Sequence, residues 1–305
     1  MKILNSHSPR PEQPQCATIG FFDGVHHGHQ ALIGQLTGAA KALNQQSMAI
    51  TFANHPKRFF HPEEPFFLLN THSEKAARLG KLPLDHCLML EFNGELAHLT
   101  SKEFMMWLKE QFHVETLIIG YDHHFGSDRG RDFNYYHATG EALGIRVIRG
   151  ERQDVGNDTV SSSMIRKTLA NGNVAHANEL LGYHYVVRGT VIHGQKIGRS
   201  LGFPTANIMV EAEKLIPCDG VYAAWVTIDN QRYAGMLNIG NNPTLNNPER
   251  SIEVHILDFD RNLYDETIEI EFVDKIRAEQ CFNSLDELKA QIERDKEGIL
   301  AVLNK

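Results

Sequence analysis

The stretch Gly20-Phe21-Phe22-Asp23-Gly24-Val25-His26-His27-Gly28-His29 decides how the first half of this chain reads. It leaves the apolar run Cys16–Gly20 and opens Gln30–Leu43, in which Leu32, Leu36, Ala39 and Leu43 keep to one helical face. A strand that turns through glycines into a helix presents unbonded main-chain N–H groups and a positive dipole end, both suited to phosphate. Gly20, Gly24 and Gly28 permit close backbone approach. His26 and His29 stand one turn apart at the helix start, where imidazole N–H donors would bind a triphosphate and stabilise charge on a reacting phosphorus. The pair could also begin a zinc site, but no third ligand has suitable nearby spacing. Nucleotide binding is the stronger reading.

Around this stretch the first 180 or so residues alternate buried strands with helical periods. Ser47–Phe52, His86–Leu90, Thr116–Gly120 and Ile145–Ile148 join Cys16–Gly20 as strands. Thr71 with Glu74 and Thr100 with Glu103 have capping-box spacing at helix starts. Such alternation predicts a Rossmann-like α/β domain, a parallel sheet with helices on both faces, its ligand site at the carboxyl ends of the strands.

After about Gly182 the texture changes. Tyr185–His193, Val221–Ile228, Arg232–Leu237, Ser251–Leu257 and Thr267–Ile276 read as strands without intervening helices. They predict a mainly β antiparallel barrel, followed by a C-terminal helix capped by Ser284. The boundary falls near Gly182–Tyr185, giving domains of 1–182 and 183–305. A length of 305 residues supports two such cores.

Composition narrows the function. Net charge is −8, so a broad nucleic-acid-binding surface is excluded and anions must be held locally. No run is long and apolar enough to span a membrane, and the first fifteen residues show no secretory signal. Cys16, Cys87, Cys218 and Cys281 are widely spaced, which fits a reducing cytoplasm. Thirteen of the 17 histidines fall by residue 137. The P-loop and G-x-G-x-x-G motifs are both missing, so nucleotide must be held by another device.

The second half carries its own constellation, Gly194-Gln-Lys-Ile-Gly198-Arg199-Ser-Leu-Gly202-Phe-Pro-Thr205-Ala-Asn207. Gly194, Gly198 and Gly202, four apart, can form a loop whose N–H groups lie over phosphates. Thr205 and Asn207 project to one side of an extended segment and offer oxygen ligands suited to Mg²⁺. Glu253, in a strand with apolar neighbours, is a candidate base.

The first constellation resembles the HxGH-type nucleotidyltransferases, in particular their flavin-adenylylating branch. Thr51-Phe-Ala-Asn54-His55-Pro56, Gly120-Tyr-Asp122 through Phe125-Gly126, and Ser161-Ser162-Ser-Met-Ile-Arg166 extend the likeness. By this resemblance His26 and His29 are catalytic. Gly20, Phe22, Asp23, Gly24, Gly28, Ser162 and Arg166 contact ATP, and His55, Asp122 and Phe125 contact flavin. His123 stands where the family usually has Phe. The second constellation resembles riboflavin kinase through Gly198–Asn207, Gly220-Val-Tyr222, Asn238-Ile-Gly240 with Pro243-Thr244, and Glu253–Phe259. It implies Glu253 as the base toward the ribityl hydroxyl and Thr205 and Asn207 on Mg²⁺. Gly194, Gly198, Arg199 and Gly202 would lie on ATP phosphates, with Arg277 near flavin. Asp265 and Cys281 stand where that family has Gly and Lys.

Both motif sets, in this order, resemble the bacterial bifunctional riboflavin kinase/FAD synthetase family. The resemblance implies phosphorylation of riboflavin to FMN in the C-terminal half and adenylylation of FMN to FAD, with release of pyrophosphate, in the N-terminal half. It implies Mg²⁺ with ATP and no tightly bound prosthetic group. Its partners would be ATP, riboflavin, FMN, FAD and pyrophosphate, with no nucleic acid and no membrane. A homo-oligomer stays open. So do three alternatives: a nucleotidyltransferase for another substrate, a kinase with an inactive first half, and a non-enzymatic flavin binder.

Overall fold

The structure, a computed structural model, describes the chain except residues 122, 129, 152–153, 156–157, 195–196, 242–249 and 305. It divides into two compact units, Met1–Ser161 and Ser162–Lys305.

The first unit contains β1 (Lys2–Leu4), β2 (Gln15–Ile19), α1 (His27–Ala42), β3 (Gln46–Phe52), α2 (Pro56–Phe60), α3 (His72–Leu79) and β4 (His86–Leu90). There follow α4 (Gly94–His98), α5 (Ser101–Phe112), β5 (Val114–Ile119), α6 (Phe133–Leu143), β6 (Arg146–Arg149) and a two-stranded ribbon of β7 (Asp154–Val155) and β8 (Asp158–Thr159). β1 to β6 form one parallel sheet in the order β1-β4-β3-β2-β5-β6. The order reverses between β2 and β5, and a parallel sheet opens its ligand crevice at that switch point, beyond the carboxyl ends of the strands. The two segments that leave those ends begin at Gly20 and Gly120.

Both faces of the sheet are covered, which is why β2 is buried at every position. Ala17 and Ile19 pack with Met105, Leu108 and Phe112 of α5. Cys16 packs with Ile33, Leu36 and Ala40 of α1. The buried stripe of α1 is therefore Ile33, Leu36 and Ala40; of the expected face, Leu32 and Ala39 are only partly buried. Both predicted capping boxes form, at Thr71 with Glu74 and at Thr100 with Glu103. β1, a three-residue edge strand, was not legible, being too short to show a period.

The second unit starts with α7 (Ser162–Ala170) and α8 (Val174–Leu181). It continues with β9 (Tyr185–Ile192), α9 (Ile197–Ser200), β10 (Ala206–Val210), β11 (Gly220–Ile228), β12 (Gln231–Gly240), β13 (Ser251–Ile256), β14 (Thr267–Arg277) and α10 (Leu285–Leu303). Its strands close into an antiparallel barrel in the order β10-β13-β12-β11-β14-β9. α8 is tied to this barrel by Asn178, whose amide donates to Phe272 O at 2.9 Å and whose carbonyl accepts from Tyr185 N at 2.7 Å. Residues 162–182 thus pack with the barrel, whereas the sequence division puts them with the first domain. Ile299 of α10 covers Phe203, Val221, Ala223 and Met236 on the outside of the barrel.

Five barrel strands were predicted and the sixth, β10, closes the ring between β9 and β13. Its sequence, Ala-Asn-Ile-Met-Val, hides the strand signal because Asn207 and the exposed Met209 interrupt an apolar run.

Candidate active sites

At the end of β2 the chain turns through residues 20–26 into α1. Phe22, Gly24 and Val25 have positive φ of 55°, 82° and 38°. Left-handed backbone is costly for non-glycine residues, most of all a β-branched one. Here burial holds it, since Phe22 and Val25 are both sealed in the core. The Phe22 ring lies over Gly20, where a Cβ would meet it at 3.0 Å. Asp23, read from sequence as an ATP contact, is buried, and its two carboxylate oxygens accept the N–H groups of Leu69 and Asn70, each at 3.1 Å.

His26 is the N-cap of α1, its Nδ1 accepting from His29 N at 3.4 Å. An Nδ1 that accepts leaves the proton on Nε2, so His26 offers an Nε2–H donor. The rings of His26 and His29 stack 3.6 Å apart, and the edge of Phe22 closes on His29. His29 Nδ1 is shut off from solvent with no hydrogen-bond partner in the described protein. Burial, then the charges of His26, His123 and Lys75, hold His29 well below the ordinary histidine value. It is a neutral imidazole beside other basic groups, an arrangement that an anion would complete.

At the end of β2, where Ile19 and Phe21 enter its wall, lies a cavity of about 610 Å³ lined also by His55, Phe59, Phe92, His123 and Phe125. His55 caps α2 through Nδ1, which accepts from Lys57 N at 3.0 Å, and its ring sits between Phe21 and Phe66. Phe125 stacks on Tyr136 at 4.7 Å, and the Tyr136 hydroxyl bonds the Phe125 backbone. His55 and Phe125, both sequence candidates, meet in this cavity; Asp122 lies outside the described residues. Ser162 and Arg166 stand one turn apart on α7, in the second unit.

Sequence reasoning missed Phe59, Phe60 and Phe92 of the cavity wall, and Lys75. The paired aromatics after Pro56 were a usable signal. Lys75 gave none, because a lysine on a capped helix reads as surface. It is instead buried, donating to Phe21 O at 3.1 Å and Phe52 O at 2.6 Å, with Nζ 3.8 Å from the centre of the Phe21 ring. Burial pushes it down to about 8.

On the barrel, Asn207 of β10, Glu253 of β13 and Asn238 of β12 are successive cross-strand partners. Partners in register share a face. Thr205 Oγ1 donates to Glu253 Oε2 at 3.1 Å, and Ser251 Oγ donates to Oε1 at 3.0 Å. The barrel thus joins Thr205, Asn207 and Glu253 across 46 or more residues of sequence, and adds Ser251, which sequence reading did not single out. Gly194 packs flat on Asn207, leaving no room for a Cβ, and Gly198 packs likewise on the Phe203 carbonyl. Gly202 has φ of 88°, and Arg199 is exposed on α9. Residues 195–196 of the loop, and Pro243-Thr244, lie outside the described residues. Among the described residues no three His, Cys, Asp or Glu gather as a metal cluster. Thr205 and Asn207 supply hard oxygens only, which fits a cation carried in on nucleotide phosphates.

Arg277, read as a flavin contact, is held at the start of the segment before α10 by a carboxylate. Its Nε bonds both oxygens of the buried Asp295, its NH2 lies 2.8 Å from Asp295, and its NH1 donates to Ala278 O. Asp265, where the resembled family has Gly, has φ of 66° and keeps the left-handed turn that glycine would take. Cys281 is an exposed free thiol.

The family model for FAD synthetase matches residues 8–164 and that for riboflavin kinase matches residues 181–303. The chain is 39% identical over 296 residues to the bifunctional riboflavin kinase/FMN adenylyltransferase of Pseudomonas fluorescens, spanning 96% of this chain and 94% of that one. It is 35% identical over 295 residues to the enzyme of the same name from Escherichia coli K12, covering 96% and 94%. Its fold matches a crystal structure described as a macrolide-efflux protein from Streptococcus pneumoniae, with TM-score 0.87, 30% identity and 97% of each chain covered. Among the described residues no helix is long and apolar enough to cross a membrane. With two family models in order and relatives matched end to end, the chain belongs to the bifunctional riboflavin kinase/FMN adenylyltransferase family.

Proposed function

We propose that the two activities divide between the motif sets, with FMN adenylylation in residues 1–182 and riboflavin phosphorylation in residues 183–305. The observation that carries the kinase assignment is the convergence of Thr205, Asn207 and Glu253 on one face of the barrel. Glu253 takes the proton of the ribityl 5′-hydroxyl. The oxygen attacks the γ-phosphorus of ATP, and ADP leaves with the electron pair of the broken P–O bond. Thr205 and Asn207 would hold Mg²⁺, which neutralises phosphate charge when bound. Gly194, Gly198 and Gly202 keep the loop low over the phosphates, and Ser251 orients the carboxylate.

In the N-terminal half the FMN phosphate attacks the α-phosphorus of ATP and pyrophosphate leaves. This needs no protein nucleophile; it needs two anions held in line with their charge offset. His26 and His29 serve that end at the start of α1, with Gly20, Gly24 and Gly28 admitting the phosphates. The aromatic cavity, with His55 and Phe125, takes the flavin rings. Phe22 and Asp23 shape the turn. The cytoplasm is the compartment we assign, on the free cysteines and the cytosolic substrates. Incubation with riboflavin, ATP and Mg²⁺, with riboflavin, FMN and FAD separated over time, tests the whole reading. FMN should rise first and FAD follow; riboflavin left unchanged would refute the kinase, and FMN accumulating without FAD would refute the adenylyltransferase.

A further inference from the structure

We propose that His255 is a positioning residue of the C-terminal site: it pins the Pro204–Thr205 peptide to β13 and so sets Thr205 where it can hold a cation on ATP phosphates. The inference rests on the kinase reading and deepens it by one residue, which acts through Thr205 and not on the reacting atoms.

Proline creates the need for such a pin. The ladder between β10 and β13 pairs Asn207 with Glu253 and Ala206 with Val254. One step further the antiparallel register sets Thr205 opposite His255, and next comes Pro204, which has no N–H to give to a ladder. Side chains take over there. His255 Nδ1 lies 2.7 Å from Pro204 O. A carbonyl only accepts, so the imidazole donates and Nδ1 carries the proton. Thr205 Oγ1 donates to Glu253 Oε2 at 3.1 Å. Along β13, Ile252, Val254 and Ile256 are buried while Ser251, Glu253 and His255 share the other, half-buried face. Two residues of that face thus hold two consecutive residues of the incoming segment. The Pro204 carbonyl belongs to the same planar peptide as Thr205 N, so fixing its oxygen fixes the plane from which Thr205 projects.

The imidazole is itself held. Phe203 meets it edge to face, with centroids 5.4 Å apart and planes at 82°. Phe203 is buried with Val221, Met236 and Ile299, so the ring that braces His255 belongs to the core. Phe203 also closes the glycine loop. Its N–H donates to Gly198 O at 2.8 Å, and Gly198 packs on its carbonyl. His255 therefore stands where two parts of the proposed ATP site join, the glycine loop that ends at Phe203 and the Thr205–Asn207 pair that begins after Pro204. Its N–H and its ring make separate contacts, one with Pro204 O and one with Phe203, and substitution can remove either alone.

The test is riboflavin phosphorylation by the full chain, with ATP, Mg²⁺ and riboflavin varied in turn, comparing wild type, His255→Phe and His255→Asn. Phe keeps a ring against Phe203 and loses the donor; Asn loses the ring and keeps an N–H donor at about the reach of Nδ1. His255→Phe should lower kcat/KM for Mg-ATP about tenfold, the worth of one hydrogen bond, and raise the Mg²⁺ concentration that gives half activity, with the KM for riboflavin within twofold. His255→Asn should recover most of both losses. A role in packing alone predicts the reverse order, with Phe close to wild type and Asn impaired. The proposal is overturned by that order, by a kcat/KM for Mg-ATP within twofold of wild type in His255→Phe, by an unchanged Mg²⁺ requirement in that variant, or by a loss that falls on the KM for riboflavin. Thermal melts check that each variant folds; should His255→Phe not fold, His255→Ala takes its place beside His255→Asn. A wild type that makes no FMN from riboflavin refutes the kinase reading itself; a wild type that does, matched by His255→Phe, refutes only the role of His255.

Discussion

Asn207 and Glu253 stand directly opposite each other on neighbouring antiparallel strands, and Thr205, two residues before Asn207, donates its hydroxyl to the same carboxylate. The proposed metal-holding pair and the proposed base are thereby fixed by one strand register. A one-residue slip of β10 would turn Asn207 into the barrel and Ala206 out. Under the proposed assignment the kinase chemistry depends on the closure of the barrel.

Glu253→Gln keeps the shape and one accepting oxygen, obliges the other hydroxyl to turn and accept from the amide N–H, and removes the carboxylate base. FMN formation should fall by 10²-fold or more, on the order expected for a general base, while FAD formation from supplied FMN stays within about twofold. Chromatography of flavins after parallel assays checks both numbers. Loss of both activities together would refute the division of labour.

Gly194→Ala inserts a methyl where the Asn207 carboxamide lies. Asn207 must move, so the variant should imitate Asn207→Ala: kinase kcat/KM down about tenfold or more, with a higher Mg²⁺ requirement. Titration of activity against Mg²⁺ for both variants makes the comparison. An unaltered Mg²⁺ curve would remove Asn207 from the metal site.

His29 is held well below its usual value, by burial first and then by His26, His123 and Lys75. It therefore stays neutral above pH 6.5, and FAD synthesis should show no step from His29 between pH 6.5 and 8. His29→Ala should lower kcat for FMN adenylylation by about 10²-fold, as loss of a preorganised donor does, with riboflavin phosphorylation untouched. A pH–rate profile and the single variant decide both points.

Lys75 is lowered by burial to about 8 from an ordinary 10.5. Between those values the folded chain has shed a proton that the unfolded chain still binds, so stability rises with pH across the window and its gain is lost as pH falls through 8. The full gain is on the order of 3 kcal/mol. Urea unfolding of wild type and Lys75→Met at pH 7 and 10 isolates it: the difference should move in favour of wild type at the higher pH. A constant difference would mean that Lys75 keeps its charge against Phe21 O and Phe52 O.

Asp295→Ala strips the partner from Arg277, whose guanidinium is then left beside α10 without a carboxylate. Breaking such a pair costs about 3–5 kcal/mol. Arg277→Met combined with Asp295→Leu should recover much of it, as thermal melts will register. If Asp295→Ala leaves the melt unchanged, Arg277 is free to serve the flavin instead.

The sequence carried the fold class of both halves, because periods of 2 and 3.6 residues are local quantities. It placed the five longer strands of the parallel sheet to within two residues or so, and both capping boxes. It also determined the identity of the motifs, since glycine, paired imidazoles and a carboxylate at set spacings are chemical facts before any folding. Distance and solvation were not in it. Ser251 joined Glu253, and Phe59 and Phe92 joined His55, only when strands and helices remote in sequence were brought together. Asp23, Arg277 and Lys75 show the limit most plainly. Each is a charged residue whose role depends on what surrounds it, main-chain N–H groups for Asp23, a buried carboxylate for Arg277, two carbonyls and an aromatic ring for Lys75. The energy of a charge is set by its dielectric surroundings and nearest partners, and those exist only in the folded chain.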